Sequence, residues 1–134
     1  DIAKFNNMDL LTPTEREARI SVKNNEDGLV FLAEKIKYNT KSRNILIKLG
    51  REGVLIHSHN AEGEILTEQV PALNSNPKDL TGAGDSMLIT SSMALASKAN
   101  INEAALLGSI AAAIQISRVG NKPLLINEIL REID

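Results

Sequence analysis

The sequence contains no cysteine among its 134 residues. This absence excludes disulfide bonds, thiolate catalysis and metal sites ligated by cysteine, and it is typical of proteins from a reducing compartment. Long apolar runs are absent too, since none approaches the roughly 20 residues of a membrane span. The N-terminus also lacks the charged-then-apolar layout of a signal peptide. We therefore expect a cytoplasmic protein without a membrane partner.

The sequence also has little net charge, because 15 lysine and arginine residues nearly balance 17 aspartate and glutamate residues. Both signs are interspersed along the chain, so the charge pattern does not indicate binding to nucleic acid. With 43% hydrophobic residues, the chain can bury one core and is expected to form one domain. Residues 1–5 lack an initiator methionine and start as though within an element, which suggests a fragment of a longer protein.

The order of the elements predicts an α/β fold. Apolar residues recur at helical spacing over residues 27–37, and a near-continuous apolar run over residues 44–49 is typical of a strand covered on both faces. A helix followed by a buried strand indicates a parallel sheet. Residues 54–58 resume a strand after a glycine-containing turn, and residues 65–70 alternate as another strand. We therefore expect an antiparallel hairpin at one edge of the sheet.

The N-terminal part predicts a strand that leads into a helix. Residues 8–11 are apolar enough for a short strand. A capping box follows, with Thr12 at the N-cap, Pro13 at the first helical position and Glu15 three residues after the cap. This interpretation assigns Glu15 to capping.

The second half of the sequence predicts three helices. Residues 86–96 are apolar enough for a buried helix. Asn100 and Glu103 form a capping box for a helix over residues 103–117, which has almost no charge and is expected to be buried on all sides. Its many small residues permit close approach to a neighbouring helix or to a flat ring. Residues 124–133 form an amphipathic C-terminal helix.

Two histidines, His57 and His59, lie two residues apart on a predicted edge strand. A pair with this spacing on an edge strand is more often a surface feature than a metal site. We therefore expect both side chains at the surface and assign them no function.

The seven residues 79–85, Asp-Leu-Thr-Gly-Ala-Gly-Asp, are the strongest candidate for a functional site. Gly82 and Gly84 carry no side chain that would hold a charged ligand away, and their backbone can turn consecutive N–H groups toward one oxyanion. The helix that follows adds its positive dipole end. Asp85 would lie at the mouth of this anion site, where a carboxylate can take a proton from a hydroxyl that attacks phosphorus. A structural interpretation stays open, because capping and the helix dipole alone also favour a first-turn aspartate.

This segment resembles the Asp-Thr-Thr-Gly-Ala-Gly-Asp signature of the ribokinase-like sugar kinases, the PfkB carbohydrate kinases. Leu80 departs from the usual threonine, and Ile89 and Thr90 replace the small pair that normally follows. The resemblance covers nearly the whole chain but only the C-terminal, nucleotide-binding half of the family's enzyme. It implies a three-layer Rossmann-like α/β fold with C-terminal helices. It also implies an ATP-dependent kinase that moves the γ-phosphoryl group of MgATP to a sugar hydroxyl.

The resemblance implies roles for individual residues as well. Asp85 would be the general base, and the N–H groups of Gly82, Ala83 and Gly84 would stabilise charge on the transferred phosphoryl group. Glu17 matches the glutamate of the family's Thr-Pro-Asn-x-x-Glu-Ala segment and would hold hydrated Mg²⁺ through water. The implied nucleotide-binding residues are Gly50, Gly53, Thr81, Ser109 and Ala113. Lys48 is added to them as a residue that reaches a phosphate, although many relatives have threonine at its position.

Local explanations stay open for several of these residues. Glu17 could be a solvated first-turn carboxylate that the helix dipole favours. Lys48 could extend its ammonium group from a strand end to solvent, and Gly50 and Gly53 could form a plain hairpin turn.

Residues 118–120, Arg-Val-Gly, resemble the Lys-Leu-Gly of the heptose-phosphate kinase branch. This resemblance implies a phosphorylated sugar as acceptor, with adenosine, ribose or fructose as alternatives. The expected partners are ATP and a small sugar or sugar phosphate, with a homodimer as an open alternative. A non-catalytic nucleotide-binding or interaction module is the competing hypothesis, favoured by the departures at Thr14, Leu80 and Ile89. The isolated chain is expected to be inactive, because the missing half would position the acceptor.

Overall fold

A mixed sheet is formed by the N-terminal half of the chain in the computed structural model, which describes residues 1–74 and 76–134. Its strands are β1 (Leu10–Leu11), β2 (Asn44–Lys48), β3 (Val54–His59) and β4 (Ile65–Val70), in that spatial order. β1 and β2 pair in parallel, whereas β3 is antiparallel to both β2 and β4. The predicted partly parallel sheet with an antiparallel edge is therefore confirmed.

The chain divides into two units, Asp1–Val70 and Pro71–Asp134. The first unit contains the sheet, and the second unit contains the C-terminal helices. The α-helices are α1 (Glu15–Val22) and α2 (Leu29–Thr40) in the first unit, and α3 (Ala83–Ala96), α4 (Ile101–Ile116) and α5 (Ile126–Ile133) in the second. Within the described ranges, none of these helices is long and apolar enough to cross a membrane.

Apolar burial joins the two helices of the first unit to its sheet. The central residues of β2 are fully buried, as predicted for a strand covered on both faces. α2 starts two residues later than predicted because Asn24 Oδ1 accepts the N–H of Asp27 at 2.9 Å and holds Asp27 in a turn. It ends three residues later than predicted, at Thr40. The core of this unit comprises Leu11, Ala18, Val22, Leu32, Ala33, Ile36, Ile45, Ile47 and Leu55.

The predicted capping box at Thr12 is wrong. The N-cap of α1 is Thr14, whose Oγ1 accepts from the Glu17 N–H at 3.2 Å, while Glu17 Oε2 accepts from the Thr14 N–H at 2.8 Å. Pro13 stays outside the helix because its carbonyl accepts the N–H of Lys48 at 2.8 Å, which continues the pairing of the chain along β2. Glu15, predicted as a capping residue, instead forms an ion pair with Arg19.

The predicted surface position of His57 is also wrong, since its side chain is completely buried. β3 is not an edge strand, because β2 pairs on one side of it and β4 on the other. His57 lies opposite Ile45 on β2 and Thr67 on β4. Glu34 of α2 contacts its ring, so the helix covers this face of the strand. His59, one step further along the same face, remains partly exposed.

The second unit is organised by close packing of α3 against α4. The predicted capping box of α4 is confirmed, since Asn100 Oδ1 accepts the Glu103 N–H at 2.9 Å and Glu103 Oε2 accepts the Asn100 N–H at 3.0 Å. At Gly108 a Cβ atom would collide with Ser91 Oγ of α3, which confirms the predicted close approach. Burial of α4 on all sides was predicted and is wrong, because Leu106 is 47% exposed.

Candidate active site

The loop that leads into α3 is organised around the carboxylate of Asp79. Its Oδ1 accepts the N–H of Thr81 at 2.9 Å, and its Oδ2 accepts the N–H of Gly120 at 3.0 Å. Hydrogen bonds from Thr81 and from the Gly120 N–H hold the pKa of the Asp79 carboxyl below its ordinary value. The Asp79 carboxylate therefore ties the start of this loop to the segment that follows α4.

Gly82 occupies the N-cap position of α3, with φ 78° and ψ −1°. Residues that carry a side chain rarely adopt this left-handed backbone conformation, so the position favours glycine. The space is also restricted, because a Cβ atom at Gly82 would lie 2.5 Å from Asn121 Oδ1. Asn121 is held by Gln115, whose Nε2 donates to Asn121 Oδ1 at 3.3 Å. The glycine thus lets the chain turn into α3 directly beneath the Asn121 amide.

The backbone N–H groups of residues 82–84 lie at the start of α3, where the anion hole is predicted. The N–H of Ala83 makes a long hydrogen bond of 3.4 Å to the carbonyl of Leu80. The N–H groups of Gly82 and Gly84 have no acceptor within the described ranges. They lie at the start of a 14-residue helix, where the dipole favours negative charge. This end of α3 can accept an oxyanion without breaking a strong hydrogen bond.

Asp85 is exposed in the first turn of α3. Its carboxylate makes no hydrogen bond or ion pair to any residue that the structure describes, so capping does not account for it. The helix dipole remains a local reason for an acid at this position. The Asp85 carboxylate is therefore exposed and without a partner in the described part of the chain.

Two further predicted nucleotide-binding residues lie on α4. Ser109 is buried, and its Oγ has no hydrogen-bond partner among the described residues. Ala113 is partly buried, and its carbonyl accepts from Asn74 Nδ2 at 3.1 Å. The Ser109 hydroxyl is therefore enclosed, without a hydrogen-bond partner among the described residues.

In the first unit the structure brings Glu17 close to Lys48. An isolated parallel bridge joins Thr14, the N-cap of α1, to Lys48 at the end of β2. The pKa of Glu17 is lowered mainly by the hydrogen bond from the Thr14 N–H, and the positive charge of Lys48 adds to the effect. Since the cap uses Oε2, the other carboxylate oxygen of Glu17 remains open within the described part of the chain.

Gly50 and Gly53 form the tight turn between β2 and β3. Gly50 has φ 62° and Gly53 has φ 91° with ψ −129°, and both conformations favour glycine. The Leu49 N–H donates to the Gly53 carbonyl at 2.8 Å, which closes the turn. A Cβ atom at Gly50 would meet nothing within 4 Å, so the backbone there is open to solvent. This geometry fits both a plain hairpin and a loop that a nucleotide approaches.

Each unit, taken by itself, offers groups that fit part of MgATP. In the second unit, phosphate oxygens suit the free N–H groups at the start of α3. A carboxylate oxygen of Glu17 suits Mg²⁺, which prefers oxygen ligands and retains several waters.

The sequence did not predict the residues that pack against Gly82 and hold Asn121 in place. Gln115 is buried, and it links Asn121 to Arg118 by accepting from the Arg118 guanidinium at 3.1 Å. Arg118 also pairs with Glu128 of α5 at 2.8 Å. Gln115, a polar residue near the end of a mostly apolar helix, is a signal in the sequence for this network, because a buried amide requires partners.

Comparison with protein families gives one clear match. The model of the pfkB family carbohydrate kinases matches residues 2–126. Among curated proteins, the bifunctional protein HldE of Campylobacter fetus subsp. fetus is 32% identical over 124 residues. That match covers 90% of this chain and 26% of the HldE protein, so the chain spans about a quarter of its relative.

Solved structures agree with this match. Ribokinase from Thermotoga maritima superposes with a TM-score of 0.80 at 27% identity, covering 93% of this chain and 42% of that chain. Arabidopsis thaliana ribokinase complexed with ribose and ATP superposes with a TM-score of 0.73 at 19% identity. It covers 92% of this chain and 40% of that chain, and it is similar in fold. The predicted ribokinase-like fold is therefore confirmed.

Proposed function

The chain belongs to the pfkB family of carbohydrate kinases, and from this premise we propose that it carries the catalytic loop of an ATP-dependent sugar kinase. The reaction moves the γ-phosphoryl group of ATP to a hydroxyl of a sugar or sugar phosphate. Because the chain covers only part of its relatives, the complete activity belongs to a longer protein or assembly that includes this chain.

Asp85 acts as the general base in this proposal. Its carboxylate takes the proton of the acceptor hydroxyl, the hydroxyl oxygen bonds to the γ-phosphorus, and the bond from that phosphorus to the bridging oxygen of ADP breaks. The N–H groups of Gly82, Ala83 and Gly84 stabilise negative charge on the transferred group. Glu17 would hold hydrated Mg²⁺ through water, and the ion would supply positive charge that offsets the negative charge of the phosphates.

The remaining predicted residues bind the nucleotide. Lys48, next to Glu17, supplies a positive charge for a phosphate, and the exposed backbone of Gly50 lets the nucleotide approach the turn that the buried Gly53 closes. Further contacts come from Thr81 in the loop before α3 and from Ser109 and Ala113 on α4.

The observation that carries this proposal is that unpaired backbone N–H groups and an unpaired carboxylate lie together at the start of α3. Gly82 and Gly84 present N–H groups without acceptors in the described ranges, and the Asp85 carboxylate beside them has no protein partner there. A carboxylate next to an anion site repels the anion, so its presence calls for a chemical role. Proton abstraction from the attacking hydroxyl is such a role.

The acceptor is proposed to be a phosphorylated sugar of the heptose-phosphate class. The Arg-Val-Gly segment at residues 118–120 indicated this branch, and similarity to the HldE protein of Campylobacter fetus subsp. fetus supports it. A screen of the complete kinase against heptose phosphates, ribose, fructose and adenosine tests the class. Activity confined to ribose or a nucleoside would contradict it.

A second candidate function is a nucleotide-binding module without catalysis. It is favoured by Thr14, which occupies the family's asparagine position but uses its Oγ1 to cap α1. A residue occupied in this way is less able to organise a metal ion. The two functions differ in what they require of Asp85.

Asp85→Asn in the complete kinase tests the proposal. The substitution preserves size but removes proton acceptance, so turnover should fall by about 10²–10⁴-fold, as is typical for loss of a general base. Nucleotide affinity should stay the same or rise, because a negative charge near the phosphates is removed. Turnover is measured by ADP release at saturating substrate, and affinity by calorimetric titration of nucleotide.

Asp9→Asn is the matched control, because Asp9 forms a highly exposed surface ion pair with Arg43 in the first unit. This variant should retain full turnover. An Asp85→Asn enzyme that turns over as fast as the Asp9→Asn enzyme would end the catalytic assignment. If the unmodified complete protein binds nucleotide but shows no turnover, the non-catalytic module is favoured.

A further inference from the structure

Three metal-ligating side chains converge on the first unit away from the residues discussed so far. Glu34 comes from α2, and His57 and His59 come from β3. Glu34 Oε2 lies 2.5 Å from His57 Nε2 and 3.2 Å from His59 Nε2. One ligand atom from each residue falls within 4.8 Å of the others. This Glu34–His57–His59 cluster presents two imidazole nitrogens and one carboxylate oxygen to a common point.

The fold accounts for this convergence. Residues two apart on a strand project to the same face, so His57 and His59 both face α2. The helix then places Glu34 above them. His57 is completely buried, whereas the side chains of His59 and Glu34 are 30% and 44% exposed. The cluster is therefore closed at the sheet and open toward a surface cleft that Glu34 and His59 help to line.

Thr67 supports the buried histidine from its other side. His57 Nδ1 lies 3.0 Å from Thr67 Oγ1 on β4, which pairs directly with His57 in the sheet. A histidine that binds a metal through Nε2 almost always donates its Nδ1–H to an oxygen of the surrounding protein. With a metal ion on Nε2, Thr67 Oγ1 would accept the Nδ1–H and fix the orientation of the ring, whereas in the metal-free protein Nε2–H donates to Glu34 and the Thr67 hydroxyl donates to Nδ1.

We propose that the Glu34–His57–His59 cluster binds one divalent transition-metal ion of the zinc type through two imidazoles and one carboxylate. A water molecule from the open cleft completes a tetrahedral shell. Imidazole ligands favour zinc, cobalt, nickel or copper over Mg²⁺, so this site is different in kind from the magnesium position proposed at Glu17.

Two of the three ligand separations suit such an ion after a small adjustment, and all three ligand atoms lie within 4.8 Å of one another. Ligand atoms bound tetrahedrally at about 2.0–2.1 Å lie about 3.3 Å from one another. The His59 to Glu34 separation of 3.2 Å already matches. The His57 to Glu34 separation of 2.5 Å must widen by less than 1 Å, and the half-exposed carboxylate of Glu34 is free to move.

Charge around the cluster is compatible with a cation. Burial raises the pKa of the Glu34 carboxyl, but hydrogen bonds from His57 and His59 outweigh this effect and lower it overall. The nearby ammonium of Lys37 donates to the carbonyls of Ser42 and Arg43, which hold it.

The cluster is also separate from Lys48 within the same sheet. Lys48 pairs with Val54 at one end of β3, whereas His57 and His59 lie three and five residues further along. At 3.3–3.4 Å per residue, this separation is about 10–17 Å. The metal would link α2 to β3, and its binding does not depend on the proposed kinase reaction.

Calorimetric titration of the purified, metal-free protein with ZnCl₂ tests the proposal, and CoCl₂ provides a visible spectrum that reports coordination. The chain, or a longer protein that contains it, should bind one Zn²⁺ per chain and should bind one Co²⁺ with a tetrahedral spectrum. The melting temperature should rise with Zn²⁺, because an ion that binds only the folded state stabilises it. MgCl₂ should produce neither effect.

Variants identify the ligands. His59→Ala retains the buried contact of His57 with Glu34, so this variant should fold. Its Zn²⁺ affinity should fall by more than the loss of about 10–100-fold that is typical when a residue supporting a ligand is removed. Thr67→Val should cost about 10–100-fold in Zn²⁺ affinity. Glu68→Gln is the matched control, because Glu68 is exposed on β4 opposite Ile56, on the other face of the sheet. It should bind Zn²⁺ like the unmodified protein.

Two results would overturn the proposal. One is the absence of Zn²⁺ and Co²⁺ binding by the folded, unmodified protein, which would make the cluster a hydrogen-bonded link between α2 and β3. The other is Zn²⁺ binding that is unchanged in a folded His59→Ala variant, which would place the ion elsewhere. Neither result bears on Asp85, so this proposal can fail without the kinase proposal.

Discussion

Substitution of Gly82 by alanine tests how the structure holds the anion hole open. The new methyl group meets two obstacles, since the backbone is left-handed at φ 78° and a Cβ atom would lie 2.5 Å from Asn121 Oδ1. The first obstacle is a property of the chain itself. The second obstacle depends on the packing of Asn121, which lies 39 positions after Gly82 in the sequence.

The two obstacles have separate magnitudes. A residue with a Cβ atom in the left-handed region costs about 1–2 kcal/mol. Displacing Asn121 breaks its hydrogen bond from Gln115 Nε2, and such a bond contributes about 0.5–1.5 kcal/mol. Gly82→Ala should therefore lower the free energy of unfolding by about 2–3 kcal/mol.

Gly120→Ala is the matched control, because Gly120 has φ 83° but a Cβ atom there would meet nothing within 4 Å. It should show the conformational cost alone, about 1–2 kcal/mol. Urea denaturation of both variants, with Asn121→Ala and the Gly82→Ala/Asn121→Ala double variant, completes a cycle. The cycle should give a coupling of about 1 kcal/mol between Gly82 and Asn121.

Equal losses for Gly82→Ala and Gly120→Ala would refute this reasoning. So would a double variant in which the two losses simply add. Either result would mean that Asn121 does not restrict the start of α3, and that the glycine is required only for its backbone conformation.

Two other predictions follow from packing and from charge. Gly108→Ala should lower the free energy of unfolding by about 1–3 kcal/mol, measured by urea denaturation. The new methyl group would collide with Ser91 Oγ and lie 3.1 Å from the Met87 carbonyl, and this cost outweighs a helix-propensity gain of about 1 kcal/mol. A variant more stable than the unmodified protein would contradict this prediction. The pKa of Asp79 is lowered in the folded state by hydrogen bonds from Thr81 and from the Gly120 N–H. The stabilisation of the fold by the ionised Asp79 carboxylate is therefore present at neutral pH and is lost as the pH falls below about 4. Asp79→Asn should accordingly flatten the fall in melting temperature in acid, and an unchanged acid profile would count against this role.

Local signals in the sequence determined much of the fold. The alternation of residues 65–70 predicted β4 with its exact bounds, and the capping box of Asn100 and Glu103 marked the start of α4. The glycines of residues 82–84 predicted a turn into a helix, as found. Each of these features depends on residues within a few positions of one another, so their energetic preferences are already expressed in the local sequence.

Tertiary structure decided the features that depend on distant partners. Thr12 and Thr14 both satisfy the local requirements of an N-cap, and the pairing of Pro13 with Lys48 excluded Thr12 by keeping that segment extended. His57 is buried because β4 pairs beyond β3 and α2 covers its face.

The same reason applies to the back of the anion hole. Asn121 contacts Gly82 only because α3 and α4 pack closely enough to bring residues 39 positions apart in the sequence together. Spacing along the chain specifies which side chains share one helix or strand face. It does not specify which faces meet, because that choice depends on burial and hydrogen bonding summed over the whole unit.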